Sequence, residues 1–337
     1  MVLGPDEVIV ADDYHTAGEP FRIVDLGPME GTTVLDRRSW AMANLDDHRR
    51  FLIHEPRGHA DMYGGMVVPP NEPAGGAAGD LGVVFFHKDG FSTACGHGTI
   101  AMATWGIDTG RLQVPTDGEA PVVVDVPSGR LHTVARMEAG RVASVRFTNV
   151  ESFVTARDLT VQTNLGPVTA HVSFGGAFYA SVSIDELPVS CCPSDVDQLI
   201  VLGREIKAEL ADHPSVVHPT DNRLSGLYGT ILHETVMSNC GSLHQRNVTI
   251  FADGQVDRSP CGSGTCARLA LLHDAGDLDV GATFLNEGVA GGVFDARVEA
   301  ATSTGIIPSV EGSAHRHATT TFHLDPHDPV NLGFLFR

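Results

Sequence analysis

One seven-residue pattern occurs twice in this chain of 337 residues, and both copies begin with a cysteine. Cys95 opens the segment CGHGTIA, and Cys261 opens the segment CGSGTCA, about half a chain length further on. A glycine and a leucine follow each copy at the same spacing, which extends the shared frame to residues 112 and 278. A match of this length predicts two similar halves, each presenting one thiol in the same local setting.

Two equivalent thiols suggest acid/base chemistry. If the two halves face each other, both sulfurs reach one substrate from opposite sides. Inversion of a stereocentre by proton transfer requires one group that removes a proton and an opposed group that returns one. We therefore expect Cys95 and Cys261 to act as such a pair.

The residues that follow each cysteine predict a buried helix. Both runs are apolar on nearly all sides, which is typical of a helix without a solvent-exposed face. Gly110 and Gly276 close the repeated frame and suit a left-handed C-cap. The backbone N–H groups and the dipole at a helix N-terminus lower the pKa of a thiol and attract a carboxylate. We therefore expect an activated thiol beside a substrate carboxylate at each helix start.

The remaining pattern is mostly that of short strands bounded by Gly, Pro or Asp. The predicted strands are 8–10, 22–24, 82–87, 121–126, 142–150, 168–174, 178–184, 248–252 and 293–300. A superficial helix is predicted from an N-cap at Ser194 to the stop at His213-Pro214. The segment 64–82, rich in Gly, Pro and Ala, is predicted to be a loop.

These elements predict an α+β protein with two pseudo-symmetric halves. Each half is expected to be a curved β-sheet or barrel wrapped around one central buried helix, with the active site in the cleft between the halves. We place the first half at residues 1–155 and the second at 156–315. Whether a C-terminal strand at about 316–337 returns to the first half is left open.

The charge of the chain argues against polyanionic partners. With 42 acidic and 22 basic residues the formal net charge is −20, so we expect neither nucleic acid nor an anionic membrane as a partner. No apolar stretch approaches the ~20 residues of a membrane-spanning helix. The first residues lack a basic segment followed by an apolar run, so a cytoplasmic location is expected.

Lysine and cysteine usage bear on cofactors. Only Lys88 and Lys207 are present, and neither has the setting of a buried anchor for pyridoxal phosphate, so we expect no cofactor. A chain without an export signal keeps its cysteines as thiols. Besides the repeated pair, Cys191, Cys192 and Cys240 are interpreted as packing residues.

Five motifs in order resemble the proline racemase family, which shares a fold with diaminopimelate epimerase. The resemblance covers nearly the whole chain. Its motifs are HTAGEPFRIV at 15–24, EPRGH at 55–59, CGHG at 95–98, FGGAFY at 174–179 and DRSPCGSGT at 257–265.

The resemblance implies roles for individual residues. In the family the two cysteines, here Cys95 and Cys261, are the acid/base pair. The residues after each cysteine bind the substrate carboxylate. Asp257, four residues before the second cysteine, contacts the ring amine, and a histidine about two dozen residues earlier lines the pocket. The corresponding positions for carboxylate and pocket contact are Gly96, His97, Gly262, Ser263 and His233.

The second cysteine bears on the reaction. Proline racemases and 4-hydroxyproline 2-epimerases resemble this chain in having cysteine at both sites, whereas trans-3-hydroxyproline dehydratases carry threonine at the second. Cys261 therefore favours 4-hydroxyproline 2-epimerase or proline racemase. The phrases around Val256 and Tyr179 are closer to the dehydratase branch, so dehydration is the alternative.

Two other classes of protein were weighed. A metal protein using Cys95, His97, Cys261 and Cys266 is disfavoured, because glycines at a helix start suit an anion better than zinc. A non-catalytic amino-acid-binding protein would be expected to have lost one thiol. We therefore expect no bound metal and a small-molecule substrate, proline or hydroxyproline. A homodimer is left open.

Overall fold

The computed structural model of the chain describes residues 4, 7–72, 76–236 and 243–336. The chain divides into two compact units, one formed by Met1–Val145 with Ser313–Arg337 and the other by Arg146–Gly312. Within these described ranges, no helix combines the length and apolar character that crossing a membrane requires.

Unit 1 contains a mixed sheet and three helices. Its strands are joined in the order β17, β1, β2, β3, β4, β5, β6, with parallel pairs at β2–β3 and β4–β5 and antiparallel pairs elsewhere. The elements are β1 (Val8–Thr16), β2 (Glu19–Val24), α1 (Val34–Asn44), α2 (Asp46–Ile53), β3 (Tyr63–Val68), β4 (Leu81–His87), α3 (Gly96–Asp108), β5 (Gly118–Val126), β6 (Gly129–Glu138) and β17 (Ala314–His323). The strand β7 (Arg141–Thr148) spans the boundary of the two units in sequence.

The sheet of unit 1 has helices on both faces. On one face α3 packs against β17, β1, β2, β4, β5 and β6, and its residues from Gly96 to Gly106 are buried. On the other face α1 and α2 cover a core that includes Val34, Phe51 and Phe86. The sheet is thus wrapped around α3, as the apolar sequence of this helix predicted.

A buried ion pair ties the first two strands together. The Arg22 guanidinium contacts the Asp13 carboxylate through two hydrogen bonds of 2.7 and 2.9 Å. A third nitrogen of Arg22 donates to the carbonyl oxygens of Leu52 and Arg57, at the end of α2 and beyond it. Arg22 therefore links the sheet to the end of its outer helix α2.

Unit 2 has its own mixed sheet and two helices. The strand order is β8, β9, β10, β11, β12, β14, β15, β16, with parallel pairs at β10–β11 and β12–β14. The elements are β8 (Phe153–Thr163), β9 (Gly166–Phe174), β10 (Phe178–Ser183), α4 (Val196–Leu210), β11 (Leu227–Thr235), β12 (Leu243–Phe251), β13 (Gln255–Asp257), α5 (Gly262–Asp274), β14 (Thr283–Gly288), β15 (Val293–Ala301) and β16 (Ile306–Gly312).

The two units repeat one topology. In unit 1, α1 and α2 connect the parallel strands β2 and β3, and α3 connects β4 and β5. In unit 2, α4 connects β10 and β11, and α5 lies between β12 and β14. The helix α5 packs against β8, β9, β10, β15 and β16 and is buried over most of its length. The fold is therefore an α+β arrangement of two similar halves, each with a cysteine-led helix inside a curved sheet.

All nine predicted strands are confirmed, and so are the helices that follow the cysteines. Gly110 and Gly276 have φ of 71° and 80°, which confirms the left-handed C-caps. The predicted helix α4 is present, but Ser194 does not cap it. A 3₁₀ turn at Pro193–Asp195 precedes α4, and its N-cap residue Asp195 makes no side-chain capping bond.

The predicted loop at 64–82 is wrong at its beginning, where the chain forms β3. Gly64 and Gly65 lie inside this strand, and a Cβ on either would collide with the rings of Phe86 or Phe21. These glycines allow close packing and do not break the strand. Helices α1 and α2 were not predicted, although Thr33 and Asp36 form a capping box at the start of α1.

Two further predictions concern single side chains. Lys88 is 4% exposed, so the expectation that it lacks a buried setting is wrong, whereas Lys207 donates to the carbonyl oxygen of Ala252. Cys191 is buried and Cys192 is partly exposed, and both are free thiols. Cys240 lies outside the described residues.

Candidate active site

Cys95 is the N-cap residue of α3 and is 5% exposed. Its Sγ accepts a hydrogen bond of 3.3 Å from the backbone N–H of Gly98, so the sulfur folds back over the first turn. A Cβ on Gly98 would lie 2.8 Å from that sulfur, which explains the second glycine of the motif. The Thr99 hydroxyl donates to the Cys95 carbonyl oxygen at 2.9 Å and secures the turn.

Three aromatic rings surround the Cys95 thiol. Each ring nitrogen of His97 lies 3.5 Å from Cys95 Sγ. The His97 ring meets Tyr63 and Phe21 edge-on, with centroid distances of 5.0 and 5.7 Å. Burial lowers the pKa of His97 to about 3, so its imidazole is neutral at physiological pH. The polar groups beside the Cys95 sulfur are therefore a neutral imidazole and the Gly98 N–H, and the latter donates to the sulfur.

Cys261 reproduces this arrangement at the start of α5. The Thr265 hydroxyl donates to the Cys261 carbonyl oxygen at 2.7 Å, as Thr99 does for Cys95. A Cβ on Gly264 would lie 2.9 Å from Cys261 Sγ. The repeated sequence is thus a repeated structure, in which a sulfur sits over a glycine at the first turn of a buried helix.

The backbone distinguishes the two cysteines. Cys95 is extended, with φ of −156°, whereas Cys261 has φ of 62° and ψ of 100°. A positive φ costs a residue with a Cβ free energy on the order of 1–3 kcal/mol, and such residues concentrate at functional sites. A hydrogen-bonded chain supports this conformation. The Cys261 N–H donates to Ser259 Oγ at 3.1 Å, and that hydroxyl donates to Asp257 Oδ1 at 2.7 Å.

Asp257 and Cys261 influence each other electrostatically. Burial raises the pKa of the Asp257 carboxyl to about 6, although hydrogen bonds from Ser259 and Cys261 oppose the shift. Burial, and next the Asp257 charge, raise the pKa of the Cys261 thiol well above its usual range. The first-turn N–H of Gly264 lowers the pKa of Cys261, as expected for a helix N-terminus, but desolvation outweighs it and the net shift is upward. Cys261 is a protonated thiol in this structure.

Tyr179 is a site residue to which the sequence analysis assigned no role. Its hydroxyl lies 2.7 Å from Ser263 Oγ and 3.7 Å from Cys261 Sγ. Tyr179 follows Gly176 by three residues, just as Phe21 follows Gly18, and both glycines have positive φ. The residue after the first glycine of each cysteine motif, His97 or Ser263, contacts the corresponding ring. This second repeated frame could have identified Tyr179 from the sequence.

His233 lies apart from Cys261. The strand β11 passes the cysteine turn at Ile231, whose side chain lies 3.2 Å from the position of a Cβ on Gly264. His233 is two residues further along β11, and because a strand advances about 3.3 Å per residue it lies beyond the cysteine turn. Its charged neighbours are Arg268 and His171, and it lines a separate cavity of unit 2. The structure thus places Gly262, Ser263 and Asp257 with Cys261, places Gly96 and His97 with Cys95, and leaves His233 out.

The described part of the chain contains no cluster of three or more His, Cys, Asp or Glu side chains arranged to hold a metal ion. The groups available at each helix start are a thiol, the N–H groups of the first turn and an aromatic ring. In unit 2 a buried carboxyl is added. Such an arrangement can bind an anion at the N–H groups and exchange a proton through sulfur.

Comparison with known proteins shows the family to which the chain belongs. The family model for proline racemase matches residues 10–335. A trans-3-hydroxy-L-proline dehydratase of Burkholderia cenocepacia is 41% identical over 332 residues, which cover 96% of this chain and 97% of the relative. A 3-hydroxyproline 2-epimerase of Burkholderia multivorans is 40% identical, again with 96% and 97% covered.

A solved structure agrees over the same extent. A hydroxyproline epimerase from Agrobacterium vitis, with bound trans-4-hydroxy-L-proline, superposes with a TM-score of 0.88 at 27% identity. The match covers 97% of this chain and 95% of that one. Together with the two cysteine-led helices, these likenesses show that the chain belongs to the proline racemase family of enzymes.

Proposed function

We propose that this protein is a cofactor-independent epimerase that inverts C2 of a hydroxyproline, with Cys95 and Cys261 as the acid/base pair. The observation that carries the proposal is the equivalence of the two thiols. Each belongs to the N-cap residue of a buried helix and lies over the second glycine of its motif, and a threonine four residues on bonds to the carbonyl oxygen of each cysteine. A thiol at both positions suits proton removal on one face of C2 and proton return on the other.

The substrate follows from chemistry and from the relatives. Free N–H groups at Gly96 and Gly262 suit a substrate carboxylate. The buried Asp257 carboxyl suits the ring ammonium. Relatives at 40 and 41% identity carry names that specify the 3-hydroxy isomer. We therefore favour 3-hydroxyproline over the 4-hydroxyproline and proline that the sequence analysis placed first.

The proton balance can be written explicitly. Cys95, as a thiolate, takes the C2 proton and becomes a thiol, while the electron pair of the C–H bond spreads into the carboxylate held at the helix start. The Cys261 thiol then donates its proton to the opposite face of C2 and becomes a thiolate. The reverse reaction exchanges the two roles.

Asp257 couples substrate binding to this transfer. The Asp257 carboxylate is one of the two causes that raise the pKa of Cys261. A ring ammonium beside Asp257 offsets that negative charge, so the bound substrate lowers the pKa of the Cys261 thiol. Cys261 is then able to act as an acid in one direction and as a base in the other. The empty site keeps the thiol protonated and unreactive.

The second candidate is dehydration of trans-3-hydroxy-L-proline, which the name of the 41% identical relative favours. In that reaction the carbanion formed by Cys95 expels the 3-hydroxyl. The leaving hydroxide takes the proton from the Cys95 thiol and departs as water. The enamine product tautomerises to Δ1-pyrroline-2-carboxylate. This route has no need of an acid on the opposite face, so the thiol of Cys261 favours inversion.

The test is substitution of each thiol with serine. We expect Cys95→Ser and Cys261→Ser each to lose at least about a hundredfold in inversion rate, because a hydroxyl ionises far less readily than a thiol. Cys192→Ser is the matched control, since this thiol is partly exposed and its sulfur contacts Ser194 Oγ at 3.0 Å. Chiral chromatography of the product measures the rate. Full inversion by Cys95→Ser contradicts the proposal.

A further inference from the structure

Unit 2 contains a second polar cavity that the proposed reaction does not use. Its volume is about 500 Å³, and it lies beside the middle of α5 rather than at the N-terminus of that helix. Its lining residues are Pro167, Val168, Thr169, His171, Ser183, Asp185, Glu186, Leu187, His233 and Arg268. None of these residues belongs to the groups around Cys261.

His233 is a buried polar residue in the wall of this cavity. The residue is 5% exposed, and its Nδ1 has no hydrogen-bond partner among the described residues. An unsatisfied buried polar atom costs roughly 1–3 kcal/mol, so such an atom at a cavity wall calls for a ligand. Burial, with the nearby positive charge of Arg268, lowers the pKa of His233 well below its usual range. A neutral imidazole still carries one N–H, which can donate a hydrogen bond to a ligand oxygen.

Arg268 brings a positive charge that has no direct ion-pair partner among the described residues, although the Asp277 carboxylate acts on it at longer range. Its Nε donates to the neutral amide oxygen of Gln245 at 2.9 Å. Within the described ranges no carboxylate forms an ion pair with it, and burial lowers its pKa to about 10. Guanidinium groups in proteins are usually matched with a carboxylate or a phosphate, often through two parallel hydrogen bonds. The missing partner at Arg268 is therefore an anion.

The acidic residues of the cavity lie at its exposed side. Asp185 and Glu186 are both exposed to solvent, where their charges are screened. The Asp185 carboxylate also accepts hydrogen bonds from Ser183 and from the backbone N–H of Thr235. The buried end of the cavity thus carries the cation and the unsatisfied imidazole, while the carboxylates remain at the mouth.

We propose that this cavity is a binding site for a small oxyanion, a carboxylate or a phosphate, held by Arg268 and His233. The ligand oxygens accept hydrogen bonds from the guanidinium and from the imidazole N–H. His171 also lines the cavity. The site is distinct from the cysteine turns at the N-termini of α3 and α5 and does not depend on which reaction the cysteines catalyse.

The experiment titrates the native protein with inorganic phosphate and, separately, with acetate. Two-dimensional NMR of the histidine ring signals reports the binding, and the signal of His233 is assigned from its absence in His233→Gln. This local readout separates the cavity from any anion bound at the cysteine helices. We expect saturable shifts of the His233 ring signals with at least one of the two anions.

Two substitutions at arginines test the charge. Arg268→Gln should weaken the binding about tenfold or more, since it removes the charge-assisted hydrogen bonds. Arg157→Gln is the matched control, because Arg157 bonds to Asp274 and to the Leu271 carbonyl oxygen on the same helix but does not line the cavity. The affinity of Arg157→Gln for the anion should stay within about twofold of the native value, a ratio equivalent to ~0.4 kcal/mol.

The possible outcomes divide clearly. Tighter binding of phosphate indicates that the natural ligand carries a phosphate group, and tighter binding of acetate indicates that it carries a carboxylate. The proposal is overturned if neither anion shifts the His233 signals of the native protein. It is equally overturned if a folded Arg268→Gln protein, verified by its circular dichroism spectrum, binds as tightly as the Arg157→Gln control.

Discussion

The pKa of Asp257 gives a quantitative prediction about pH. This carboxyl has a pKa raised by burial to about 6, and it is expected to hold the ring ammonium only when ionised. At pH 7 about nine tenths of the groups are ionised, and at pH 5 about one tenth. The value of kcat/KM should therefore fall about tenfold as the pH drops from 7 to 5.

Asp257→Asn tests the assignment. The amide keeps nearly the same shape but has no negative charge, so the loss of activity between pH 7 and 5 should disappear. At pH 7 we expect kcat/KM to fall on the order of a hundredfold, which corresponds to the loss of about 2–3 kcal/mol from one charged hydrogen bond. The matched control is Asp253→Asn, an exposed residue of the same hairpin that pairs with Arg204. This variant should keep the native profile.

Initial rates of C2 inversion, measured from pH 4.5 to 8 by chiral chromatography, give both profiles. The buffer must hold the ionic strength constant, because surface charges respond to salt. A low-pH loss that persists unchanged in Asp257→Asn refutes the role of this carboxyl. If the pH profile of Asp253→Asn changes in the same way as that of Asp257→Asn, the pH dependence belongs to the whole hairpin and not to the Asp257 carboxyl.

Two further substitutions test the contacts of the site and of the fold. Tyr179→Phe removes the hydroxyl that bonds to Ser263 and reaches the Cys261 sulfur, so we expect kcat to fall about tenfold. The pKa of the Cys261 thiol should also rise, because the Tyr179 hydrogen bond lowers it, and an unchanged thiol pKa in Tyr179→Phe contradicts this role. Arg22→Met leaves the buried Asp13 carboxylate without its ion pair and should cost about 3–5 kcal/mol of unfolding free energy in urea. Adding Asp13→Asn should recover part of that loss, and a cost below about 1 kcal/mol in the single variant contradicts the account.

The sequence predicted those features that a local repeat or a local pattern encodes. The frame around Cys95 and Cys261 gave both buried helices and their C-caps, because glycine and threonine act within one turn. The short apolar runs predicted the strands, because such a run is also a local pattern. Long-range pairing was not encoded in this way. The strand β17 pairs with β1 at the other end of the chain, and no local sequence pattern indicates that register.

Two predictions differ from the structure because they depend on neighbours that are distant in sequence. Gly64 and Gly65 were taken for loop residues, yet the strand needs them because Phe86 and Phe21 occupy the space beside them. The pKa of Cys261 was expected to fall at the helix N-terminus. It rises instead, because the effect of burial exceeds that of the first-turn N–H groups, and burial depends on the whole unit.

The site was only partly visible in the sequence. Asp257 was placed by the family resemblance, and its contact with Ser259 in the Cys261 turn agrees with that placement. His233 was also placed in that pocket by the family resemblance, through an approximate spacing from Asp257. The actual register of β11 puts Ile231 at the cysteine turn and His233 beside Arg268. Spacing along a strand determines a location only when the register is known.

Incubation in D2O tests the two-thiol inversion most directly. The native protein is given trans-3-hydroxy-L-proline and trans-4-hydroxy-L-proline in separate reactions, and the products are separated by chiral chromatography and examined by proton NMR. The account predicts the C2-inverted isomer with deuterium at C2, because the Cys261 thiol exchanges its proton with solvent before donating it. Formation of Δ1-pyrroline-2-carboxylate without any inverted isomer would contradict the account and assign the protein to dehydration.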